Sequence, residues 1–219
     1  MTFVLFIIFS TLEYISSLTL MLVLFRFDAK EHFLKFLISS VLLSLISNTL
    51  IQQQLESIGP LVQLLAFVFL VYVILRVSIF NSMIMVLTIY FIFGLVQITL
   101  IMIFTYFGII DTVEVYKFSA FLTQGASSFY MFLFALIVYL KHGGFSFVDY
   151  KSSRKRFLIF NKSNRVFFIA LVAAFILFTI VTRLYYNSAN PPYLLIALVF
   201  LLTLLFLLYL AIRRDDDLV

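Results

Sequence analysis

The sequence predicts an all-α, polytopic helical membrane protein, and three observations carry this prediction. Of the 219 residues, 64% are hydrophobic and only 11% are charged, whereas soluble domains have about 25% charged residues. The apolar residues form long runs, and nearly all charges lie between these runs. Lys and Arg accumulate at alternate joints, which is the pattern that orients membrane proteins. Lipid is therefore expected to cover apolar surface that a soluble core could not bury.

Seven apolar runs are long enough, or nearly so, to cross a bilayer, which takes about 20 residues of helix. We expect helices because only helices and closed barrels satisfy their own backbone groups in lipid. The predicted helices cover residues 3–25, 33–51, 60–75, 82–107, 118–140, 166–182 and 193–212. The third and sixth runs are the shortest, so six crossings with one re-entrant or interfacial run is the alternative. Residues 1–219 are expected to form a single transmembrane domain.

Turn residues and charges mark the ends of the runs. The first run has no basic segment before it and no small-residue cleavage site after it, so we expect a first helix rather than a signal peptide. Proline begins the third run at Pro60 and precedes the seventh at 191–192, positions where its missing N–H costs nothing. A charged joint precedes each of the other runs: residues 26–35 the second, Arg76 the fourth, Lys117 the fifth and the basic connection 141–165 the sixth.

The basic residues predict the orientation of the chain. If all seven runs cross, thirteen of the fifteen Lys and Arg residues lie on one side of the membrane. Lys117 and Arg183 lie on the other side, together with Glu56, Asp111 and Glu114. A basic bias of this size marks the cytoplasmic side. We therefore expect a multi-pass protein of the plasma membrane, with its N-terminus outside and its C-terminus cytoplasmic.

One carboxyl lies deep within the first run. An ionisable group at the depth of Glu13 costs roughly 2.5–3.5 kcal/mol on insertion scales and normally faces the bundle interior or water. With helices running in alternate directions, Ser44, Ser47 and Gln97 lie at a similar depth and Gln124 lies in the outer half. These five residues form the predicted ligand- or ion-binding site. The alternative is a carboxyl that only hydrogen-bonds between helices.

Two groups of small residues favour close helix packing. Ser40, Ser44 and Ser47 recur at helical spacing, and residues 125–128 read Gly-Ala-Ser-Ser. Small residues let helix backbones approach and donate hydrogen bonds between helices. We interpret both groups as packing surfaces, and a lined cavity is the alternative for the first.

The sequence lacks the patterns that catalysis requires. A serine nucleophile needs a base within hydrogen-bond reach, but His32 and His142 both lie in predicted cytoplasmic joints. There is no His-Glu-x-x-His pattern and no phosphate-binding Gly-x-x-x-x-Gly-Lys loop, and cysteine is absent. We expect no enzymatic activity, no cofactor and no metal site. The net charge of +5 follows from topology, so no nucleic-acid partner is expected.

The connection 141–165 is the one sizeable segment outside the apolar runs. Its basic residues Lys151, Arg154, Lys155 and Arg156 are followed by apolar residues. Each basic residue near anionic lipid contributes about 1 kcal/mol. We therefore treat these four residues as a candidate docking surface for the inner leaflet or for a cytoplasmic partner. An ordinary positive-inside loop is the alternative.

The layout of the chain resembles one family of sensors. Residues 12–14 (Leu-Glu-Tyr), 25–27 (Phe-Arg-Phe) and 36–40 (Phe-Leu-Ile-Ser-Ser), with a last run that ends in Arg-Arg, are similar to the transmembrane sensor modules of Agr/ComD-type quorum-sensing histidine kinases. Those kinases occur in low-GC Gram-positive bacteria. The resemblance implies seven helices and recognition of an extracellular peptide. No histidine follows His142, so the kinase activity of that family is not carried over.

Three functions are compatible with the sequence. The first is a receptor- or sensor-like module that recognises a peptide or small ligand and couples to a separate membrane or cytoplasmic partner. The second is a small transporter, or a membrane subunit of a transport complex. The chain is also laid out like the 3+1+3 sugar transporters, but it lacks the Pro-Gln pair within their helices. The third is a structural subunit of a larger membrane assembly.

Overall fold

A computed structural model describes residues 2–146, 148, 162–188 and 191–216. Over these residues the chain forms seven α-helices and no β-strand, which confirms the predicted fold class. In chain order the helices are α1 (Thr2–Leu24), α2 (Ala29–Gln52), α3 (Gly59–Leu75), α4 (Ile79–Tyr106), α5 (Phe118–Leu140), α6 (Lys162–Asn187) and α7 (Tyr193–Asp216).

Several helices extend beyond the apolar runs that predicted them. The largest difference is in α6, which covers Lys162–Asn187 instead of 166–182. Helix α2 begins at Ala29 and α7 continues to Asp216. A run defined by hydropathy stops at charged residues, but Lys and Arg have good helix propensity and keep their charged ends in water. Helix α6 therefore includes residues 162–165, which the prediction placed in the basic connection.

Six of the seven helices are long and apolar enough to cross a membrane. The exception is α3, an apolar helix of 17 residues. At 1.5 Å per residue, a helix of this length spans about 25 Å, slightly less than the ~30 Å of hydrocarbon in a bilayer. Proline occupies the first turn of α3, and Arg76 in the left-handed region (φ 54°) ends it.

Side-chain contacts give the relative directions of the helices. Phe9 contacts Phe121 and Phe25 contacts Phe145, so positions rise together along α1 and α5 and the two helices are parallel. Helices α4 and α6 are parallel for the same reason, because Phe80 contacts Phe167 and Phe91 contacts Phe178. In contrast, α6 and α7 are antiparallel, since Tyr185 contacts Tyr193 and Phe178 contacts Phe200.

Two hydrogen bonds identify the two faces of the bundle. Tyr116, just before α5, donates to Asn48 near the end of α2; we call this the outer face, following the charge-based orientation. Ser146, after α5, donates to Asp215 at the end of α7, which defines the inner face. Helix α7 thus ends at the inner face, so α6 and its parallel neighbour α4 both begin there.

The direction of helix α3 follows from those of its neighbours. It connects the end of α2 at the outer face to the start of α4 at the inner face, so it spans the bundle despite its length. The described helices therefore cross the bundle seven times, and six of them are long and apolar enough to cross a membrane.

Helix α4 lies at the centre of the bundle. It contacts α1, α3, α5, α6 and α7 and is the most buried of the six long helices. Helix α1 packs most extensively against α5 and then against α2. The outer surfaces of the peripheral helices carry exposed apolar side chains, such as Phe129 (64% exposed) and Leu194 (68%). A bilayer covers this surface, and the chain is a multi-pass membrane protein.

Candidate functional site

A polar cluster lies in the interior of the bundle around the carboxyl of Glu13. Glu13 is buried (9% exposed) midway along α1. Its Oε1 accepts a hydrogen bond from Ser127 Oγ at 3.3 Å and one from Gln97 Nε2 at 3.5 Å. The Gln124 amide is a further hydrogen-bond partner of the carboxyl. We call these four residues, which come from α1, α4 and α5, the Glu13 cluster.

Small residues bring α1 and α5 close enough to build this cluster. Gln124 and Ser127 lie three residues apart on α5, so they share one face of that helix. Gly125 lies under the ring of Phe9, where an added Cβ would be 3.3 Å from the ring. Ser127 itself is fully buried. Because α1 and α5 are in close contact, a side chain as short as serine reaches the carboxyl.

The surroundings of Glu13 are uncharged. The ionisable groups that interact electrostatically with it are the hydroxyls of Tyr14, Tyr90 and Tyr186. In the part of the chain that the structure describes, no Lys, Arg or His forms an ion pair with Glu13. Charged groups in low dielectric need an opposite charge or hydrogen bonds nearby. An ionised Glu13 would depend on the three hydrogen bonds alone.

Two buried polar atoms near Glu13 have no hydrogen-bond partner. They are Oε1 of Gln124 and the hydroxyl of Tyr90. Leaving a buried polar atom unpaired costs about 1–3 kcal/mol. The hydrogen bonds from Gln97 and Ser127 both end on Oε1 of Glu13, so Oε2 accepts neither of them. The Glu13 cluster can thus accept further hydrogen bonds from a group that enters it.

Tyrosines connect the cluster to the outer face. Tyr186, at the outer end of α6, is 43% exposed. It interacts electrostatically with Glu13 and also with Glu56 in the connection between α2 and α3. The ring of Tyr185 contacts those of Tyr186 and Tyr193. Tyr186 thus lies within electrostatic range of one carboxyl in the bundle interior and of one at the outer face.

The structure brings three of the five predicted site residues together. Glu13, Gln97 and Gln124 converge as described. Ser44 instead donates to the Ile7 carbonyl of α1 at 3.3 Å, and Ser47 is a hydrogen-bond partner of Tyr14. Both serines join α2 to α1, in line with their interpretation as a packing surface. Neither hydrogen-bonds to the Glu13 carboxyl.

Sequence reasoning did not include Ser127, Tyr14, Tyr90 or Tyr186 in the site. Ser127 was interpreted as a packing residue, although its spacing from Gln124 places the two on one face of a helix. The tyrosines gave no such indication, because twelve tyrosines are spread along the chain. Only helix packing selects the three that interact with Glu13.

A second arrangement joins three helices at the inner face. The Phe145 N–H donates to the Leu24 carbonyl at 2.7 Å. The Ser146 N–H and Oγ both donate to Asp215 Oδ1 at 2.8 Å. We call these four residues the inner clasp, because they connect the ends of α1, α5 and α7. A pocket of about 360 Å³ lies beside the clasp and is lined by Phe25, Arg26, Phe27, Asp28, Glu31, His32, Ser146 and Val148.

The predicted docking residues Lys151, Arg154, Lys155 and Arg156 lie outside the described residues. No protein-family model, curated protein or solved structure matches this chain. The class that fold and composition define is a multi-pass helical membrane protein. The features of this protein that bear on a more specific function are the Glu13 cluster and the inner clasp.

Proposed function

We propose that this protein is a receptor- or sensor-like membrane module that binds a peptide or small ligand at the Glu13 cluster. The observation that carries the proposal is the convergence of one carboxyl, two amides and one hydroxyl from three helices, with no opposite charge among the described neighbours. Ionisable groups inside a membrane are costly and usually mark functional sites. A purely structural cluster would also be expected to pair its polar atoms, and two nearby atoms are unpaired.

The connection between α1 and the inner face supports coupling to a partner. Helix α1 carries Glu13 near its middle and ends at Leu24, whose carbonyl belongs to the inner clasp. A ligand changes a conformational equilibrium only when it binds one state better than the other. A ligand that draws α1, α4 and α5 together would favour one arrangement of the clasp and of α7. We propose that a separate partner responds to this arrangement, with the basic residues 151–156 as its docking segment.

The layout resemblance to Agr/ComD-type sensor modules supports the same proposal, and it favours an extracellular peptide as the ligand. A transporter is the second candidate. One observation favours it: a carboxyl in mid-membrane without a cationic neighbour can carry a proton or a cation. No proline interrupts a described helix beyond its first turn, so the helices lack the breaks on which many ion-coupled transporters depend.

The deciding experiment compares the wild-type protein with Glu13→Gln, and uses Ser44→Ala as the matched control. Ser44 is fully buried and contacts α1 but not the Glu13 carboxyl. Each protein is purified in mild detergent, and the molecules released on denaturation are identified by mass spectrometry. The same preparations are reconstituted in liposomes, where proton flux is followed with a pH-sensitive dye. Thermal unfolding shows whether each variant is folded.

We expect a bound peptide or small molecule that is retained by the wild type and by Ser44→Ala and is reduced at least tenfold in Glu13→Gln, because about 1.4 kcal/mol of lost binding is a factor of ten. No flux is expected from any of the three proteins. Proton flux in the wild type that disappears in folded Glu13→Gln would replace the receptor proposal with the transporter. Unchanged retention and no flux would leave Glu13 as a structural bridge between helices.

A further inference from the structure

We infer that the ligand group bound at the Glu13 cluster is a positively charged amino group, such as the ammonium of a free peptide N-terminus or of a small amine. The inference rests on the proposed function and specifies the chemistry of its ligand. It follows from the charges, from the balance of hydrogen-bond donors and acceptors, and from the residues between the cluster and the outer face.

The first step is the charge balance. Glu13 is a buried carboxyl whose described neighbours Gln97, Gln124, Ser127 and Tyr90 are all neutral. Electrostatic interactions are much stronger in a site of low dielectric than in water. A cation that enters the cluster would form an ion pair that no described residue supplies. An anionic ligand would instead be repelled by an ionised Glu13.

The second step is the balance of donors and acceptors. Gln97 Nε2 and Ser127 Oγ already donate to Glu13. What remains open is a carbonyl-type acceptor, Oε1 of Gln124, and the oxygen of Tyr90, together with the carboxyl itself. An ammonium has three N–H donors and no acceptor, so it matches a group of open acceptors. Each amide keeps a second N–H and Tyr90 keeps its O–H, so the cluster also presents donors, but its two unpaired oxygens favour a ligand group that brings donors.

The same balance favours an ammonium over a bare metal cation. Two donor groups point at Glu13 Oε1, and a metal ion bound there would have its positive charge beside their hydrogens. Hard cations also prefer six or more oxygen ligands. An ammonium needs only a few acceptors in suitable directions and forms charge-assisted hydrogen bonds with a carboxylate.

The approach from the outer face suits an organic cation. Glu56 and Tyr186 interact with each other electrostatically at the entrance, and Tyr186 also interacts with Glu13. The ring of Tyr185 contacts those of Tyr186 and Tyr193, and tyrosine rings attract cations through their faces. The groups between Glu56 and Glu13 to which Tyr186 belongs would therefore attract an ammonium.

The test uses probes of one shape and different charge on the purified, detergent-solubilised protein. The cationic probe is 2-phenylethylammonium, and the neutral probe of the same length is 2-phenylethanol. Phenylalanyl-leucine amide and its N-acetyl form repeat the comparison for a peptide. Thermal unfolding is measured across a concentration series, because a ligand that binds only the folded state stabilises it by RT ln(1 + c/Kd) at a free ligand concentration c, so the midpoint rises further with each increase in concentration above Kd. Glu13→Gln and the control Ser44→Ala are measured in parallel.

We expect the ammonium probe, or the peptide with a free N-terminus, to bind at least about tenfold more tightly than its neutral counterpart. A charge-assisted hydrogen bond contributes enough free energy for a difference of this size. The preference should persist in Ser44→Ala and disappear in Glu13→Gln. The stronger of the two cationic probes then identifies the source of the amino group. Equal stabilisation by charged and neutral probes, no stabilisation by any probe, or a preference that persists in Glu13→Gln would each overturn the inference.

Two features keep this test separate from that of the proposed function. The comparison between charged and neutral probes is made on the wild type and does not depend on the folding of Glu13→Gln. A co-purified ligand that requires Glu13 but contains no amino group would support ligand recognition at the cluster and would refute the ammonium. Proton flux that requires Glu13 would refute the receptor itself.

Discussion

Single residues determine how closely the central helices approach. Gly94 on α4 faces the ring of Phe200 on α7, and a Cβ at this position would overlap Cε2 and lie 2.8 Å from Cδ2. Phe200 cannot easily move, because the rings of Phe91 and Phe178 pack against it. Glycine is therefore required by packing here, although it lowers helix propensity.

The first prediction concerns this contact. Gly94→Ala should lower the free energy of unfolding by about 1–3 kcal/mol, the usual cost of overpacking a core, despite the better helix propensity of alanine. Thermal unfolding in mild detergent measures the change. Gly59→Ala is the matched control, because a Cβ at Gly59 in the first turn of α3 meets nothing within 4 Å. Equal stability of the two variants would contradict the role given to Gly94.

At the scale of elements, the connection between α4 and α5 holds the outer ends of three helices together. Tyr116 in this connection has a left-handed backbone (φ 63°). Its ring lies 5.2 Å from that of Phe6 on α1, and its hydroxyl donates to Asn48 Oδ1 on α2 at 2.8 Å. Asn48 is buried (5% exposed), so this bond satisfies an acceptor that water reaches poorly. The connection thus orders the outer end of the bundle.

Tyr116→Phe tests this role because it keeps the ring and removes the hydroxyl. We expect a loss of about 1–3 kcal/mol in the free energy of unfolding, the cost of a buried acceptor left unpaired. Tyr106→Phe should have no measurable effect, since Tyr106 is 84% exposed. A stability change in Tyr106→Phe as large as in Tyr116→Phe would point to a general effect of the hydroxyl instead.

The same hydroxyl predicts a response to alkaline pH. Burial, and to a lesser degree the Glu56 carboxylate, raise the pKa of Tyr116 above its ordinary value, which is about 10 for tyrosine. The unfolded chain therefore loses this proton at lower pH than the folded protein does. The Tyr116 hydroxyl contributes its full stabilisation below the pKa that it has in the unfolded chain. This stabilisation is lost as the pH rises through the higher pKa that the hydroxyl has in the folded protein. The stability difference between wild type and Tyr116→Phe should accordingly shrink above pH ~10.

For the whole molecule, the bundle divides unevenly around α4. Helix α1 packs against α2 and α5, while α6 and α7 pack on the opposite part of the core with α4 between them. The 3+1+3 layout noted in the sequence would group the first three and the last three helices into two triplets. The extensive α1–α5 contact joins one helix of each triplet, so the helices do not pack as two separate triplets. The Glu13 cluster lies where α1, α4 and α5 meet.

The orientation of the whole bundle is tested by labelling. The chain has no cysteine, so Glu56→Cys, Asp111→Cys and Lys141→Cys each introduce a single reactive thiol. In intact cells an impermeant maleimide should label the first two and not the third, because thirteen of fifteen basic residues predict that Lys141 faces the cytoplasm. All three positions are exposed in the structure, so accessibility to lysed cells provides the control. Labelling of Lys141→Cys in intact cells would reverse the orientation.

Much of the fold follows from local properties of the sequence. Hydropathy and charge predicted seven helices because lipid leaves the backbone almost no alternative to a helix. The helix ends were less predictable, as α6 illustrates, because charged residues interrupt an apolar run without ending the helix. Glu13 was recognisable as a candidate from its depth alone, since a carboxyl among apolar residues is conspicuous in any membrane segment.

The sequence by itself determined the class of protein and a count of six or seven membrane crossings, because both depend on the free energy of transferring short segments into lipid. The positions of Lys and Arg gave the expected orientation. Only the tertiary structure decided which polar groups meet. It placed Ser127 rather than Ser44 at Glu13, left Gln124 Oε1 and the Tyr90 hydroxyl unpaired, and joined Ser146 to Asp215. Both the packed and the lipid-facing surfaces of a membrane helix are largely apolar, so hydropathy does not show which faces pack together. The partners depend instead on side-chain size and on contact geometry between helices distant in sequence.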